Sequence, residues 1–235
     1  MKQGLSISTL TSLLHLSDPT LPIGGYAHSY GLESYVQSGV VASVDSAKEF
    51  IRNSLCHNIR YNDALYVRLA WQASERGDLS GLCILDDELT ALKSPREIRQ
   101  ASLKLGVRLL KIFSRKLRGD EIEALESLVR GRDGVAGGHY PIIYGVLSQL
   151  LELPLDDTLL SFYYNTMVCM VTNAVKLIPL GQLSGQDILF ELEGELEGLV
   201  SETIEMNEDM RGVCAVGFDR ASMEHEHLYS RLYMS

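Results

Sequence analysis

The chain has 235 residues, 46% of them hydrophobic and 22% charged, and carries a formal net charge of −10. This is the balance of a water-soluble globular chain long enough for one good core, and its acidity excludes general nucleic-acid binding, which needs a basic face. Cys56, Cys83, Cys169 and Cys214 lie far apart, with no CxxC or Cys/His ligand spacing, so neither a structural zinc site nor a disulfide framework is expected and a reducing cytoplasm fits.

The first residues show no basic stretch followed by an apolar run, so no secretory leader is expected. Residues 5–16 read as a short apolar helix that stops before Asp18-Pro19, because the residue before a proline avoids the α region. The stretch LPIGGYAHSYGLE, residues 21–33, follows. A phosphate loop would need a lysine directly after its glycines, and none occurs before Lys48; a dinucleotide loop would need a preceding strand and GxGxxG. The stretch therefore reads as a turn feeding a helix. Pro22 fixes φ, while Gly24, Gly25 and Gly31 permit positive φ or the close approach of another chain. His28 as a general base would need a partner. Glu33, five residues on, is poorly placed for that, so a structural or interface histidine is the better reading. On this view the turn presents Tyr26, His28 and Tyr30 to other protein surfaces.

Residues 45–75 carry apolar positions at helical spacing from Ala47 to Leu69, with a break expected near Asn62. Ser94-Pro95-Arg96-Glu97 has the pattern of a capping box with proline at the first helical position. It opens a helix striped by Ile98, Ala101, Leu105, Leu109, Ile112 and Phe113. Lys104, Arg108, Lys111, Arg115 and Arg118 fall at i+4 and i+3 steps on one face of that helix. The glycine-rich stretch 131–141 is the candidate mobile loop. Helices follow at 139–151 and 156–177. The second lies in the apolar run LLSFYYNTMVCMVTNAVKLIPL, whose Asn165, Asn173, Lys176 and Pro179 fit a core helix rather than a membrane span. Ser184-Gly185-Gln186-Asp187 looks like a further cap, opening one helix whose apolar face runs from Ile188 to Met210. No strand alternation appears, and the expected architecture is a single-domain, all-α bundle of about eight to ten helices over residues 1–235, ending in a tail at 220–235.

Three features bear on function. The interval from Lys176 to Arg211 holds no other lysine or arginine but nine acidic residues between Asp187 and Asp209. With the basic face above, it reads either as ordinary solvated surface or as a pair of docking surfaces of opposite charge. Lys176, before the rigid turn Pro179-Leu180-Gly181-Gln182, is either a snorkelling lysine or a point charge held at an interface. In the tail SMEHEHLYSRLYMS, His225 and His227 diverge by about 200° on a helix and are not a HExxH pair, so joint metal ligation is disfavoured. Its tyrosines and arginine favour docking. No nucleophile–base pair, metal spacing or phosphate loop survives, so interaction is expected rather than catalysis.

Five blocks, LSDPTLPIGGYAHSYGLESYVQSGVV, SPREIRQASLKLGVRLL, GHYPIIYGVL, AVKLIPLGQLSGQ and SMEHEHLYSRLYMS, together resemble the ordered signature blocks of the urease accessory protein F family. Tyr26 and Tyr233 stand where the family often has phenylalanine. The resemblance implies an all-α, non-enzymatic, homodimeric scaffold without a resident cofactor, acting in nickel insertion into urease. Its implied partners are the accessory protein called D or H, the GTPase accessory protein G and apo-urease, with no nucleic-acid or membrane partner. It places Lys176, Pro179, Gly181 and Gln182 at GTPase coupling. It places His225, Glu226, Tyr229, Arg231 and Tyr233 at the D/H protein, and the loop of Pro22, Gly24, Gly25, Tyr26, His28 and Tyr30 at a docking or dimer contact. The competing expectation is a direct nickel-binding protein or metal enzyme using His28, His225 and His227.

Overall fold

The computed structural model describes residues 4–131 and 137–235, and no strand occurs among them. Twelve α-helices run in order: α1 (Ile7–Leu16), α2 (Leu32–Gln37), α3 (Val44–Ser54), α4 (Leu65–Glu75), α5 (Leu79–Leu92), α6 (Arg96–Phe113), α7 (Asp120–Arg130), α8 (Tyr140–Leu150), α9 (Leu155–Leu177), α10 (Gln182–Glu193), α11 (Leu196–Glu205) and α12 (Val216–His225). The all-α expectation holds, but the count exceeds the expected eight to ten. Even with α3 and α4 taken as one rod, eleven remain among the described residues. Residues 132–136 of the expected mobile stretch 131–141 lie outside the described residues.

α3 and α4 are joined without interruption by a π-helical segment, Leu55–Ala64. The sequence leads one to expect a break near Asn62, because Asn58 and Asn62 interrupt the apolar stripe. Instead the wider i→i+5 winding lets Asn62 donate to both the Asn58 side chain and the Val213 carbonyl, each at 3.1 Å. The polar residues are thus satisfied without ending the helix.

Two further expectations are corrected. Ser94 makes no cap on α6, whose N-cap is Pro95 without a side-chain bond; the Glu97 carboxylate that would complete the box is taken up by the tail, as described below. The single helix expected from Asp187 to Met210 is two, α10 and α11, separated at Gly194-Glu195, and α10 begins at Gln182, ahead of the expected cap at Ser184.

The core is built around α4, α8 and α9. Tyr66, Tyr144 and Tyr163 are its largest fully buried side chains, and each hydroxyl is satisfied: Tyr144 by Ser161 at 2.8 Å, Tyr163 by Thr203 at 2.7 Å and Tyr66 by Glu88 at 3.2 Å. α8 meets α4 backbone to backbone at Gly145, where a Cβ would run into the Val67 carbonyl oxygen and the Trp71 nitrogen of α4. Both are backbone atoms and neither can swing aside. Gly145→Ala is therefore expected to destabilise the chain by about 3 kcal/mol through forced separation of the two helices. Chemical denaturation checks this, and a wild-type midpoint for the variant would contradict it.

Candidate functional site

The loop and the tail, some 200 residues apart in sequence, form one structure. After Pro22 the chain turns through Gly24, at φ 89°, where any side chain would strike the Arg108 guanidinium. Arg108 donates to the Ile23 carbonyl at 2.8 Å, fastening the turn to α6. Tyr30 adopts φ 54°, a conformation costly for a residue with a Cβ. This reversal starts α2 with Glu33 facing inward, 3% exposed.

Glu33 is the acceptor around which the tail folds. One carboxylate oxygen receives the Leu232 amide at 2.7 Å; the other receives the Tyr233 amide at 3.1 Å and faces His225 Nε2 at 3.0 Å. The other ring nitrogen of His225 lies 2.7 Å from Glu97 at the start of α6, whose second oxygen takes Arg231 at 2.8 Å. A ring carrying both protons donates to both carboxylates at once. Arg96 pairs with Glu226 at 2.8 Å. The end of the tail runs beside the loop: Ser29 N–H donates to the Ser235 carbonyl and Met234 N–H to the Ala27 carbonyl. His28 Nδ1 lies 2.8 Å from the Ser235 hydroxyl, and Asn173 of α9 donates to the His28 carbonyl at 2.7 Å.

Of the residues expected to face partners, His28, His225 and Tyr233 are therefore buried within the chain. Gly24 is buried as well, Tyr229, Arg231, Tyr26 and Pro22 are exposed, and Glu226, Gly25 and Tyr30 are half-buried; Leu232 and Met234, not singled out from the sequence, are also exposed. The expectation that His28 faces outward fails because its ring lies against Ser235 of the returning tail, and Tyr30 is only partly exposed. Burial first, then the charges of Lys104 and Arg108, hold the His28 imidazole down at about 4, so it is neutral at physiological pH. Glu33 is indeed no partner of His28; it serves His225 instead. The Tyr233 hydroxyl is buried without a hydrogen-bond partner, an unmade bond that costs stability. Tyr233→Phe is accordingly expected to be neutral or to stabilise by about 1 kcal/mol, read as a thermal midpoint no lower than wild type; a clear drop would show that the hydroxyl is used.

Lys176 stands at the C-terminal end of α9, exposed, as are Pro179, Gly181 and Gln182 of the following turn. A shallow groove beside it is lined by Val171, Thr172, Val175, Gln182, Gln186 and Leu189, with Leu183 and Phe190 standing out at 79% and 65% exposure. This corner combines one cation with unpartnered apolar side chains, the composition of a protein-contact surface. It is separate in sequence from the clamp formed by the loop and the tail, and Asn173 of the same helix reaches that clamp at the His28 carbonyl.

Among the described residues no group of three or more His, Cys, Asp or Glu side chains is arranged to hold a metal ion. Both ring nitrogens of His225 face carboxylates of the clamp, and His227 is exposed on the far side of the α12 terminus. The Cys169 thiol is pushed up to about 11 by burial and is no ready thiolate.

The UreF family model matches residues 41–193. The chain belongs to the urease accessory protein UreF family. UreF of Haemophilus influenzae strain KW20 is 45% identical over 230 residues, 98% of this chain and 97% of its own. UreF of Actinobacillus pleuropneumoniae is 46% identical over 226 residues, 96% of this chain and 99% of its own. A more distant UreF, from Paenarthrobacter aurescens, is 32% identical over 231 residues, 98% and 100% of the two chains. The UreF family model stops short of both halves of the clamp, whereas the full-length relatives extend across nearly the whole chain. These relatives are urease accessory proteins rather than ureases. No helix among the described residues is long and apolar enough to cross a membrane.

Proposed function

We propose that this chain is a cytoplasmic, homodimeric scaffold for urease maturation. It joins the D/H accessory protein and the GTPase accessory protein G to apo-urease, and couples GTP-dependent nickel delivery to assembly of the urease active site. Nickel is cargo in this reading, and the chain itself is not an enzyme. The observation that carries it is kinship with proteins named urease accessory protein UreF along almost the full length. The geometry supports a division of labour. The outer face of the clamp, with Tyr26, Tyr229, Arg231, Leu232 and Met234 exposed, is assigned to the D/H protein, and the Lys176–Gln182 corner to the GTPase. His225, Glu226 and Tyr233 act in this scheme by holding the tail in shape beneath that face.

The test is co-purification with the D/H protein and the GTPase, with and without GTP and nickel. A cut before Ser222 would remove His225 and leave Glu33 and Glu97 without their buried partner, so the informative truncation ends at Leu228 and keeps α12. It is expected to lose the D/H protein while retaining helical content; undiminished binding would overturn the assignment. Lys176→Ala, at an exposed site, is expected to leave the thermal midpoint within about 0.5 kcal/mol of wild type and to lower urease activation with the GTPase. Full activation would remove Lys176 from the scheme.

A further inference from the structure

The two charged faces read from the sequence do not share one fate in the fold. The acidic run from Asp187 to Asp209 is answered in part from within the chain: Glu191 pairs with Lys48 at 2.6 Å, Glu195 with Arg52 at 2.8 Å, and Glu202 with Arg60. The basic run has no such answer. Residues 98–119 contain Arg99, Lys104, Arg108, Lys111, Arg115, Lys116 and Arg118 and no acidic residue. A segment at +7 in a chain at −10 leaves −17 on the remainder. None of the seven forms an ion pair among the described residues. Arg99, Arg108 and Arg118 donate to backbone carbonyls and Lys116 to the Ser12 hydroxyl.

Lys104, Arg108 and Lys111 lie on one solvent-facing strip of α6, with Val107 37% exposed beside them, and Arg115 continues the line in the turn after the helix. Like charges at i+3 and i+4 disfavour the helix by about 0.2–0.5 kcal/mol per pair. The helix dipole favours Lys111 in the last turn but offers nothing to Lys104, roughly two turns earlier. The strip is therefore a local cost maintained in a chain with carboxylates to spare.

We infer that this strip of α6 is a docking surface for an acidic helical segment of a protein partner, with carboxylates repeating at i, i+4, i+7 and i+11 to meet Lys104, Arg108, Lys111 and Arg115. The length decides the class of anion. From Lys104 to Arg115 the strip spans about 16 Å, and beyond a Debye length of about 8–10 Å the rest of the molecule presents excess negative charge. A duplex nucleic acid or an anionic bilayer extends past the strip and is repelled there. A short acidic helix ends with it. The inference does not depend on the scaffold reading, because it is argued from the charges of α6 and not from the exposed tail side chains or from Lys176.

The test uses the full chain and a labelled helical peptide of about five turns bearing glutamates at i, i+4, i+7 and i+11, with a scrambled peptide of equal charge, a duplex DNA and phosphatidylserine vesicles as competitors. The patterned peptide is expected to bind roughly tenfold more tightly than the scrambled one and to weaken with salt. K104E/K111E/R115E should abolish that preference, and K104Q/K111Q/R115Q should fall between the two. Arg108 is left in place because it fastens the loop. The chain ending at Leu228 should bind the peptide as the full chain does, which separates this surface from the tail. Equal binding of both peptides, no binding, retention by the folded charge-reversed variant, or displacement by DNA or vesicles at lower concentration than by the patterned peptide would each overturn the inference.

Discussion

Glu33→Ala is expected to release the tail from the body of the molecule. The Glu33 carboxylate, 3% exposed, accepts two tail amides and faces one imidazole nitrogen. Removing it leaves the Leu232 and Tyr233 N–H groups and His225 Nε2 without their acceptor, while His225 Nδ1 keeps Glu97. Breaking a buried, hydrogen-bonded charge cluster costs about 3–5 kcal/mol when the orphaned partners stay buried. The tail can avoid part of that cost by moving into water, where its amides are solvated, at the loss of the burial of Tyr233. The expected result is a chain that keeps its α4–α8–α9 core and its helical content while the amides of Leu232, Tyr233 and Met234 exchange at least tenfold faster with solvent. Glu33→Gln, which keeps one acceptor oxygen, should fall between. Hydrogen exchange reads this directly, and unchanged protection of Leu232 and Tyr233 in Glu33→Ala would show that the tail is held by something else. If the D/H protein recognises the tail in its docked shape, Glu33→Ala should also weaken that complex although Glu33 touches no outer surface. That distinguishes recognition of a folded clamp from recognition of a free peptide.

Much of the scaffold is legible in the sequence because amphipathic spacing is a local signal. The stripes of α3, α6 and α9 each repeat within four residues, so the chain announces them without tertiary information. The π segment escapes that reading, because its winding departs from the period used to detect a helix, and Asn58 and Asn62 then imitate a break. The false cap at Ser94 has a related cause. Glu97 has the right spacing to reach back to the start of α6, but His225 and Arg231 compete for its carboxylate from more than a hundred positions away. The clamp has the same logic. Spacing rules reject Glu33 as a partner for His28 and offer no other candidate, since its real partner is His225. What was visible was composition: a turn dense in glycine and aromatics, a tail dense in aromatics and charge, and a resemblance placing both at docking. That the two halves dock first on each other is a property of the folded chain alone.

Acid is expected to unfold this protein earlier than its carboxylates alone would require, through two buried histidines. His28 is held at about 4 by burial and then by Lys104 and Arg108, with Glu97 opposing them. His139, before α8, is held at about 3 by burial and then by Lys93 and Arg99. The His139 ring is fully enclosed, with Nδ1 3.0 Å from the Ser102 hydroxyl and Nε2 3.0 Å from the Thr90 hydroxyl. In the unfolded chain both histidines bind a proton near 6.5. Between 6.5 and each folded value the unfolded state holds more protons, so stability falls as pH falls through that window and levels off below it. At about 1.4 kcal/mol per unit, His28 accounts for about 3 kcal/mol across its window and His139 for about 5 kcal/mol. Asp86 acts in the opposite direction. Its carboxyl accepts the Gly138 and His139 amides, yet burial raises it above its ordinary value, so the folded state takes up its proton first on acidification and recovers part of the loss. By pH 4.5, about two units below the unfolded value, the two histidines together account for about 5 kcal/mol, which brings unfolding to around pH 4–5 when the total stability lies at the low end of the typical range of about 5–15 kcal/mol. Denaturant midpoints at pH 7, 5.5 and 4.5 test this. His139→Gln should lower stability at pH 7, where the ring's two hydrogen bonds are intact, and flatten the slope between pH 6.5 and 4.5. His28→Asn, which keeps an amide near Ser235, should flatten it with a smaller loss at pH 7. A wild-type slope in both variants would place the acid sensitivity in the carboxylates and remove the histidines from the account.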